Sequence, residues 1–221
     1  LNSTLSLVPE TSFSNFNIIG SSVLAGTGTI LLNRPDVTAK NQGARFSVRF
    51  EGISDLAETF TIPSEFEIRG TGRIETSFGF GENRDKINLL GTLVADGGLL
   101  EIKSLDPVEG SLRATSDGLL DFRGDLELTP TSSVHLALGD PDGLINQPKI
   151  NVSGSALLGG GLVLQFVDSY QPVLGDEFLI ATSSDQISDD FDSINVIGLS
   201  DHLDVSVSSL GQSLVATIIS S

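Results

Sequence analysis

The sequence predicts an all-β protein that folds as a parallel β-helix, a solenoid of short stacked strands. Apolar and polar residues alternate with a period of two, as in Arg45–Phe50 (RFSVRF) and Asp204–Ser208 (DVSVS), which is typical of strands with one buried face. Apolar residues at the helical spacing i, i+3, i+4 and i+7 do not form comparable runs. A strand–corner–strand unit also recurs: Gly91–Ile102 resembles Gly110–Phe122, about 20 residues later.

Short segments of strand-forming composition cover most of the chain. Gly, Asn, Asp or Pro separates nearly all of them, which leaves a sandwich, a barrel or a solenoid as the candidate architectures. The predicted strands are 16–19, 23–32, 44–50, 59–62, 65–69, 73–76, 87–94, 99–103, 111–115, 119–122, 125–128, 133–138, 149–157, 162–167, 177–182, 193–197, 203–207 and 213–219.

The repeats favour the solenoid. The element Gly26–Ile30 (GTGTI) returns 44 residues later as Gly70–Ile74 (GTGRI), which we interpret as two coils of about 22 residues. In a solenoid each coil has an apolar face that only the next coil covers, and Asp-Gly corners supply the bends between strands. A sandwich gives no reason to repeat a corner at this interval.

Composition sets further bounds. The chain has 221 residues, which suits one large all-β unit, and its lack of Cys excludes disulfides and thiolate metal sites. It contains no Met and starts at Leu1, so we expect a processed or trimmed chain without a signal peptide. No apolar run reaches the length of about 18 residues that a membrane span needs.

The charge is strongly negative and unevenly distributed. The formal net charge is −17, and all 12 basic residues lie at or before Lys149. Residues 151–221 therefore carry nine acids and no base, a net of −9, whereas residues 1–150 carry 20 acids and 12 bases, a net of −8. Such a chain is repelled by phosphate backbones and anionic lipids, so nucleic acid is an unfavourable partner. Solubility, cation binding and a cationic partner remain as interpretations.

Two stretches carry a resemblance to a known family. The pattern GTGRI … INLLGTLVADGGLLEI … GSLRATSDGLLDF resembles the passenger-type β-helix and autotransporter-associated repeat regions of secreted bacterial proteins. The stretch from Gly159 to Leu199 is similar to the module that closes such helices. Its landmarks are Gly161, Leu162, Tyr170, Pro172, Gly175, Asp176, Phe178, Ile180, Ile187, Phe191 and Leu199.

The resemblance covers about residues 65–220 and implies a right-handed parallel β-helix, export, and roles in adhesion, surface layers or filaments. It supplies no catalytic motif. We therefore expect one continuous domain: irregular N-terminal coils or a cap over 1–64, β-helix coils over 65–150, and a C-terminal closing region over 151–221.

Acidic clusters are the best candidates for a metal site. Asp140 and Asp142 lie in the turn-like GDPDG, and Asp189, Asp190 and Asp192 crowd a second segment that we expect to be a loop. Hard cations such as Ca²⁺ take oxygen ligands from loops of this kind. Neither cluster has EF-hand spacing, so a solvated acidic turn is the competing interpretation, and no other cofactor is expected.

Catalytic motifs are missing. The only histidines are His135 and His202, and neither G-x-S-x-G nor H-E-x-x-H occurs. The Gly-rich segments precede strands, not the helix N-terminus that a phosphate cradle needs. Acids are plentiful, but the chain has no Trp and only Tyr170 as an aromatic platform for sugars, since we expect the Phe residues in the core. The sequence therefore predicts a non-enzyme, with a β-helix polysaccharide lyase or glycosidase as a distant alternative.

The ends of a solenoid expose strand edges that another chain can extend. Residues 1–8, with Leu5, Leu7 and Val8, are a candidate donated strand. The C-terminal run 213–219, with Leu214 and Ile218, is expected to lie near the opposite edge.

Four arginines form a candidate basic strip that meets the acidic C-terminal third of another copy: Arg45, Arg49, Arg69 and Arg73. The predicted function is an extracellular structural protein, a subunit of a filament, matrix or surface layer. The alternative is a monomeric adhesin or glycan-binding module.

Overall fold

The architecture comes from a computed structural model. It describes residues 3–7, 14–19, 26–32, 46–51, 58–77, 85–103, 105–139, 147–167 and 170–221, with the backbone alone for 3–7, 14–19, 46–51 and 77. Within these ranges the regular elements are all β-strands, which confirms the all-β prediction. The same residues contain no helix long and apolar enough to cross a membrane.

The strands are short and follow one another closely, as expected. They are β1 (Ser3–Leu7), β2 (Ser14–Ile19), β3 (Gly28–Leu32), β4 (Phe46–Glu51), β5 (Thr59–Ile62), β6 (Phe66–Ser77), β7 (Lys86–Leu89), β8 (Thr92–Ile102), β9 (Ser111–Ala114), β10 (Leu119–Phe122), β11 (Leu126–Glu127), β12 (Ser133–Leu138), β13 (Ile150–Val152), β14 (Ala156–Phe166), β15 (Glu177–Ser183), β16 (Ile187–Ile197), β17 (Leu203–Leu210) and β18 (Ser213–Ser220).

Most of these strands pair in parallel, and the pairs form three ladders. The first ladder stacks β1, β3, the first half of β6, the first half of β8, β9, β12, and the second halves of β14 and β16. The second ladder stacks β2, β4, the second halves of β6 and β8, β10, β13 and β15. The third contains β5, β7, two isolated bridges, β11, and the first halves of β14 and β16. The chain thus visits the ladders in turn.

The apolar sides of the three ladders meet in one hydrophobic core. Phe60 from the third ladder, Leu93 from the first and Phe122 from the second all belong to the same buried cluster. Register-matched residues form continuous apolar columns, because every second side chain of a strand faces the same side. Full burial of one such aliphatic side chain stabilises the fold by about 1.5–3 kcal/mol.

The short repeat predicted the stacking correctly. Thr92–Ala95 pairs with Ser111–Ala114, and Leu99–Ile102 pairs with Leu119–Phe122. The corner between them is occupied by Gly97, whose φ of 74° favours glycine.

The longer repeat was interpreted wrongly. Gly28–Ile30 pairs with Phe66–Ile68 in the first ladder, an offset of 38 residues, whereas Gly72–Ile74 lies in the second ladder. Coils near the N-terminus are longer than those that follow, so a fixed period of about 22 residues does not hold there.

The C-terminal end departs from the parallel pattern. β15 pairs with β18 antiparallel, and β18 pairs with β17 antiparallel. The expectation that the C-terminal run lies at an edge is wrong, because β18 has a neighbour on each side and β17 is the outermost of the three. Leu214 and Ile218 are accordingly buried in the core, at 0% and 1% exposure.

Candidate assembly site

The first and third ladders both end at β16, and the outer edge of this strand is open. β16 pairs with β14 from Ala156↔Ile187 to Gln165↔Ile197, with one irregularity in the register. No other described strand pairs with β16. An open parallel edge presents a row of N–H and C=O groups that a further strand can pair with.

The apolar column behind this edge is also uncovered. Ile194 is the register partner of Leu162 and continues the inner column of the first ladder. Leu162 is 1% exposed, whereas Ile194 is 45% exposed. Two residues further on, Val196 is half-buried and its register partner Leu164 is fully buried. The inner face of the last strand is therefore left without the coil that covers every earlier strand.

The β17–β18 hairpin extends the second ladder past this point without closing it. Val205 and Val207 are the register partners of Ile218 and Ala216, so their side chains lie on the core side of the sheet. Ile218 and Ala216 are buried, but Val205 and Val207 are only partly buried. Apolar surface from both the first ladder and the hairpin thus borders one unfilled strand position.

Charge divides the open edge into two halves. The third-ladder half of β16 carries Asp189 and Asp190, and Asp192 follows at the bulge. The first-ladder half, Ser193–Ile197 (SINVI), carries no charge. Charged residues on an edge strand disfavour pairing with another chain. The edge is therefore protected along the third ladder and permissive along the first.

The predicted acidic loop is this strand. Asp189, Asp190 and Asp192 lie in β16, which begins at Ile187, six residues earlier than we predicted. The apolar residues Ile187 and Phe191 were the missed signal, masked by the Asp-rich composition. Across the described residues, no three His, Cys, Asp or Glu side chains lie close enough together to hold a metal ion. Asp140 and Asp142 lie outside the described residues.

The predicted basic strip is divided between two ladders. Arg69 lies in the first ladder, and its Nη2 is 2.8 Å from Asp96 Oδ2. Arg73 lies in the second, and its Nε is 2.6 Å from Glu101 Oε1, although the pair is too poorly aligned for a hydrogen bond. Both arginines are therefore neutralised within the chain.

The remaining predicted interface residues cannot be compared in the same way. Arg49 is placed only by register, opposite Glu75 in β6, and its side chain is outside the described part. Arg45 and Val8 lie outside the described residues. Leu5 and Leu7 are placed by their backbone in β1, which pairs in parallel with β3 of the same chain.

The outward side of the first ladder carries a shallow groove of about 190 Å³. Its lining includes Arg113, Thr115, His135 and Gln165. His135 Nε2 and Gln165 Oε1 are 2.9 Å apart, which fixes both side chains. Arg113 is exposed and makes no hydrogen bond or ion pair with the described residues. The groove therefore offers a free guanidinium beside a fixed pair of polar groups.

A single buried cation stands at a corner between the first and second ladders. Lys149 Nζ donates to the carbonyl oxygens of Thr115 and Ser116. Burial lowers the pKa of Lys149, and the nearby carboxylate of Asp117 opposes this shift. The lysine holds a backbone corner in place.

Comparison with known proteins returned nothing: no protein family, no curated protein and no solved structure matches this sequence.

Proposed function

We propose that the chain is an extracellular structural subunit that assembles end to end with copies of itself into a filament, matrix or surface layer. The observation that carries the proposal is the exposure of Ile194, a core-column residue left uncovered at the open edge of β16. An uncovered apolar column next to unpaired backbone groups is stabilised by a further strand, which buries the first and pairs with the second.

The proposal includes the finer fold, a right-handed parallel β-helix. Three parallel ladders that the chain visits in turn, around one shared core, support this architecture. Connections between parallel strands of one sheet are right-handed in nearly all proteins, which supports the handedness. The extracellular location rests on the resemblance to exported β-helix regions.

The experiment is sedimentation velocity and negative-stain electron microscopy over a range of protein concentrations. The wild-type chain is expected to form concentration-dependent oligomers or fibres. Ile194→Glu places a charge in the open column and is expected to abolish assembly, because a buried carboxylate would have no partner.

The matched control is Leu99→Glu. Leu99 is 42% exposed, close to Ile194, but lies on the second ladder away from the open end. This variant is expected to assemble like wild type. A monomeric wild-type protein at every concentration, or equal loss of assembly in both variants, contradicts the proposed function.

A second candidate function is binding of acidic glycans by the groove on the first ladder. The unpaired guanidinium of Arg113 beside the fixed His135–Gln165 pair favours it, since a guanidinium binds carboxylates and sulfates through two parallel hydrogen bonds. Calorimetry with uronate oligosaccharides tests this candidate. Arg113→Ala is expected to weaken binding at least tenfold, while Lys86→Ala, which removes an exposed cation on the third ladder, is expected to have little effect.

A further inference from the structure

We infer that the strand which occupies the open position beside β16 is β1 of a second copy of this chain, in parallel register. This inference rests on the proposed function and names its partner. The aligned residues are Thr4 with Ser193, Leu5 with Ile194, Ser6 with Asn195 and Leu7 with Val196.

The register follows from the chain's own first ladder. Leu5 pairs with Ile30, and Ile30 pairs with Ile68, at the start of the column that ends at Ile194. Leu7 pairs with Leu32 in the same way, in the column that ends at Val196. β1 therefore already occupies the register positions that a strand added beyond β16 would take.

The two segments also match in length and polarity. β1 is Ser3–Leu7 (STLSL), and the uncharged half of β16 is Ser193–Ile197 (SINVI), so each has five residues. Neither carries a charge, and both alternate polar and apolar residues. The only described partner of β1 is β3, so β1 either keeps this neighbour and gains β16 or leaves it for β16.

Charge favours a contact between opposite ends over a contact between like ends. Residues 1–50 carry four bases and two acids, a net of +2, whereas residues 151–221 carry nine acids and no base, a net of −9. Two acidic C-terminal regions repel each other, whereas the N-terminal region of one copy complements the C-terminal region of the next. A head-to-tail contact is heterologous and extends into a filament unless the rotation closes a ring.

The added strand would complete the surface around it. It would lie against Ile194 on one side and face the partly buried Val205 and Val207 of the hairpin across the interior. The β17 edge is the competing position, because it too is open and carries the exposed Leu210.

Site-directed cross-linking tests the register, and the absence of native cysteine makes it clean. A Ser6→Cys protein is mixed with an Asn195→Cys protein, and a short bifunctional thiol reagent is added. A covalent heterodimer is expected. Ser6→Cys mixed with Asp190→Cys, in the other half of β16, is expected to give little product. Equal yields from both mixtures, or product only with a cysteine at Leu210, overturn the inference.

A peptide competitor separates this inference from the proposed function. The peptide LNSTLSLV, residues 1–8, is added to the wild-type chain at rising concentration and assembly is followed by sedimentation. It is expected to shorten or abolish the oligomers, whereas a peptide with aspartate at positions 5 and 7 is not. Assembly that is insensitive to both peptides refutes the role of β1 and leaves the proposed function standing. A wild-type chain that never assembles refutes the proposed function itself.

Discussion

Asn151 Nδ2 donates a hydrogen bond of 2.6 Å to Asp121 Oδ1 of its register partner in the adjacent strand. Thr182 Oγ1 donates in turn to Asn151 Oδ1 at 2.9 Å. These three residues form a polar column on the outward side of the second ladder, where Arg123 Nη2 also lies 2.8 Å from Asp121 Oδ2. Asp121 is nonetheless only 3% exposed, so its carboxylate depends on these partners.

We predict that Asp121→Ala lowers the free energy of unfolding by about 2 kcal/mol, because it leaves the Asn151 amide without its acceptor and removes a charge-assisted contact. Urea denaturation measures the change. Glu127→Ala, at an exposed position of β11, serves as the control and is expected to change stability by less than about 0.5 kcal/mol. Equal effects of the two substitutions would show that the column does not stabilise the fold.

Backbone crowding between coils gives a second prediction. A Cβ atom at Gly110 would lie 2.2 Å from the carbonyl oxygen of Gly91 in the neighbouring coil. At Gly124 the φ of 141° disfavours other residues, but a Cβ would meet nothing within 4 Å. We expect Gly110→Ala to destabilise the chain more than Gly124→Ala, whose cost should be about 1–3 kcal/mol from backbone strain alone. Thermal unfolding followed by circular dichroism gives the order, and the reverse order contradicts the close stacking of these coils.

A third prediction concerns the turn before β15. Tyr170 Oη donates a hydrogen bond of 2.7 Å to Asp176 Oδ2, which also accepts from the backbone N–H of Val173 at 2.8 Å. Tyr170→Phe removes the first contact but keeps the edge-to-face packing of the ring on Phe178, 5.8 Å between centroids. The variant should lose about 1.5 kcal/mol of stability. Asp176→Asn weakens both contacts and should lose more, so an Asp176→Asn variant that is more stable than Tyr170→Phe would show that the carboxylate does not organise this turn.

The sequence predicted the strands and their stacking well in the regular part of the chain. Alternation identifies Ser133–Leu138, and the Asp-Gly corner between residues 95 and 100 fixes the register of β8 against β9 and β10. These features are local, because one side of each strand is buried and every corner needs particular residues. The long N-terminal coils obscured the spacing, so the 44-residue repeat was assigned to the wrong ladder.

The open end was beyond sequence reasoning for a different reason. Ile194 has the same strand context as Leu162, and only its place in the stack makes it exposed. Position along the stack depends on which strand comes last in each ladder. That in turn depends on β18 folding back between β15 and β17, a long-range pairing that no local pattern encodes. The protective carboxylates on β16 were visible in the sequence, but their composition indicated a loop.

The pH dependence of stability gives the final prediction, through Lys149. Burial holds the pKa of the folded-state Lys149 below its usual value of 10.5. Between the lowered pKa and 10.5 the unfolded chain therefore binds more protons at this position than the folded chain, and the free energy of unfolding must rise with pH across that window.

Other groups titrate in the same range, so the measurement is a difference. Urea denaturation of wild type and Lys149→Gln is compared from pH 7 to pH 11. The wild-type free energy of unfolding minus that of the variant is expected to rise as pH approaches 10.5 and then level off, because both states of Lys149 are then neutral. A difference that is flat or falls over this range would show that Lys149 is not desolvated at its corner beside Thr115 and Ser116.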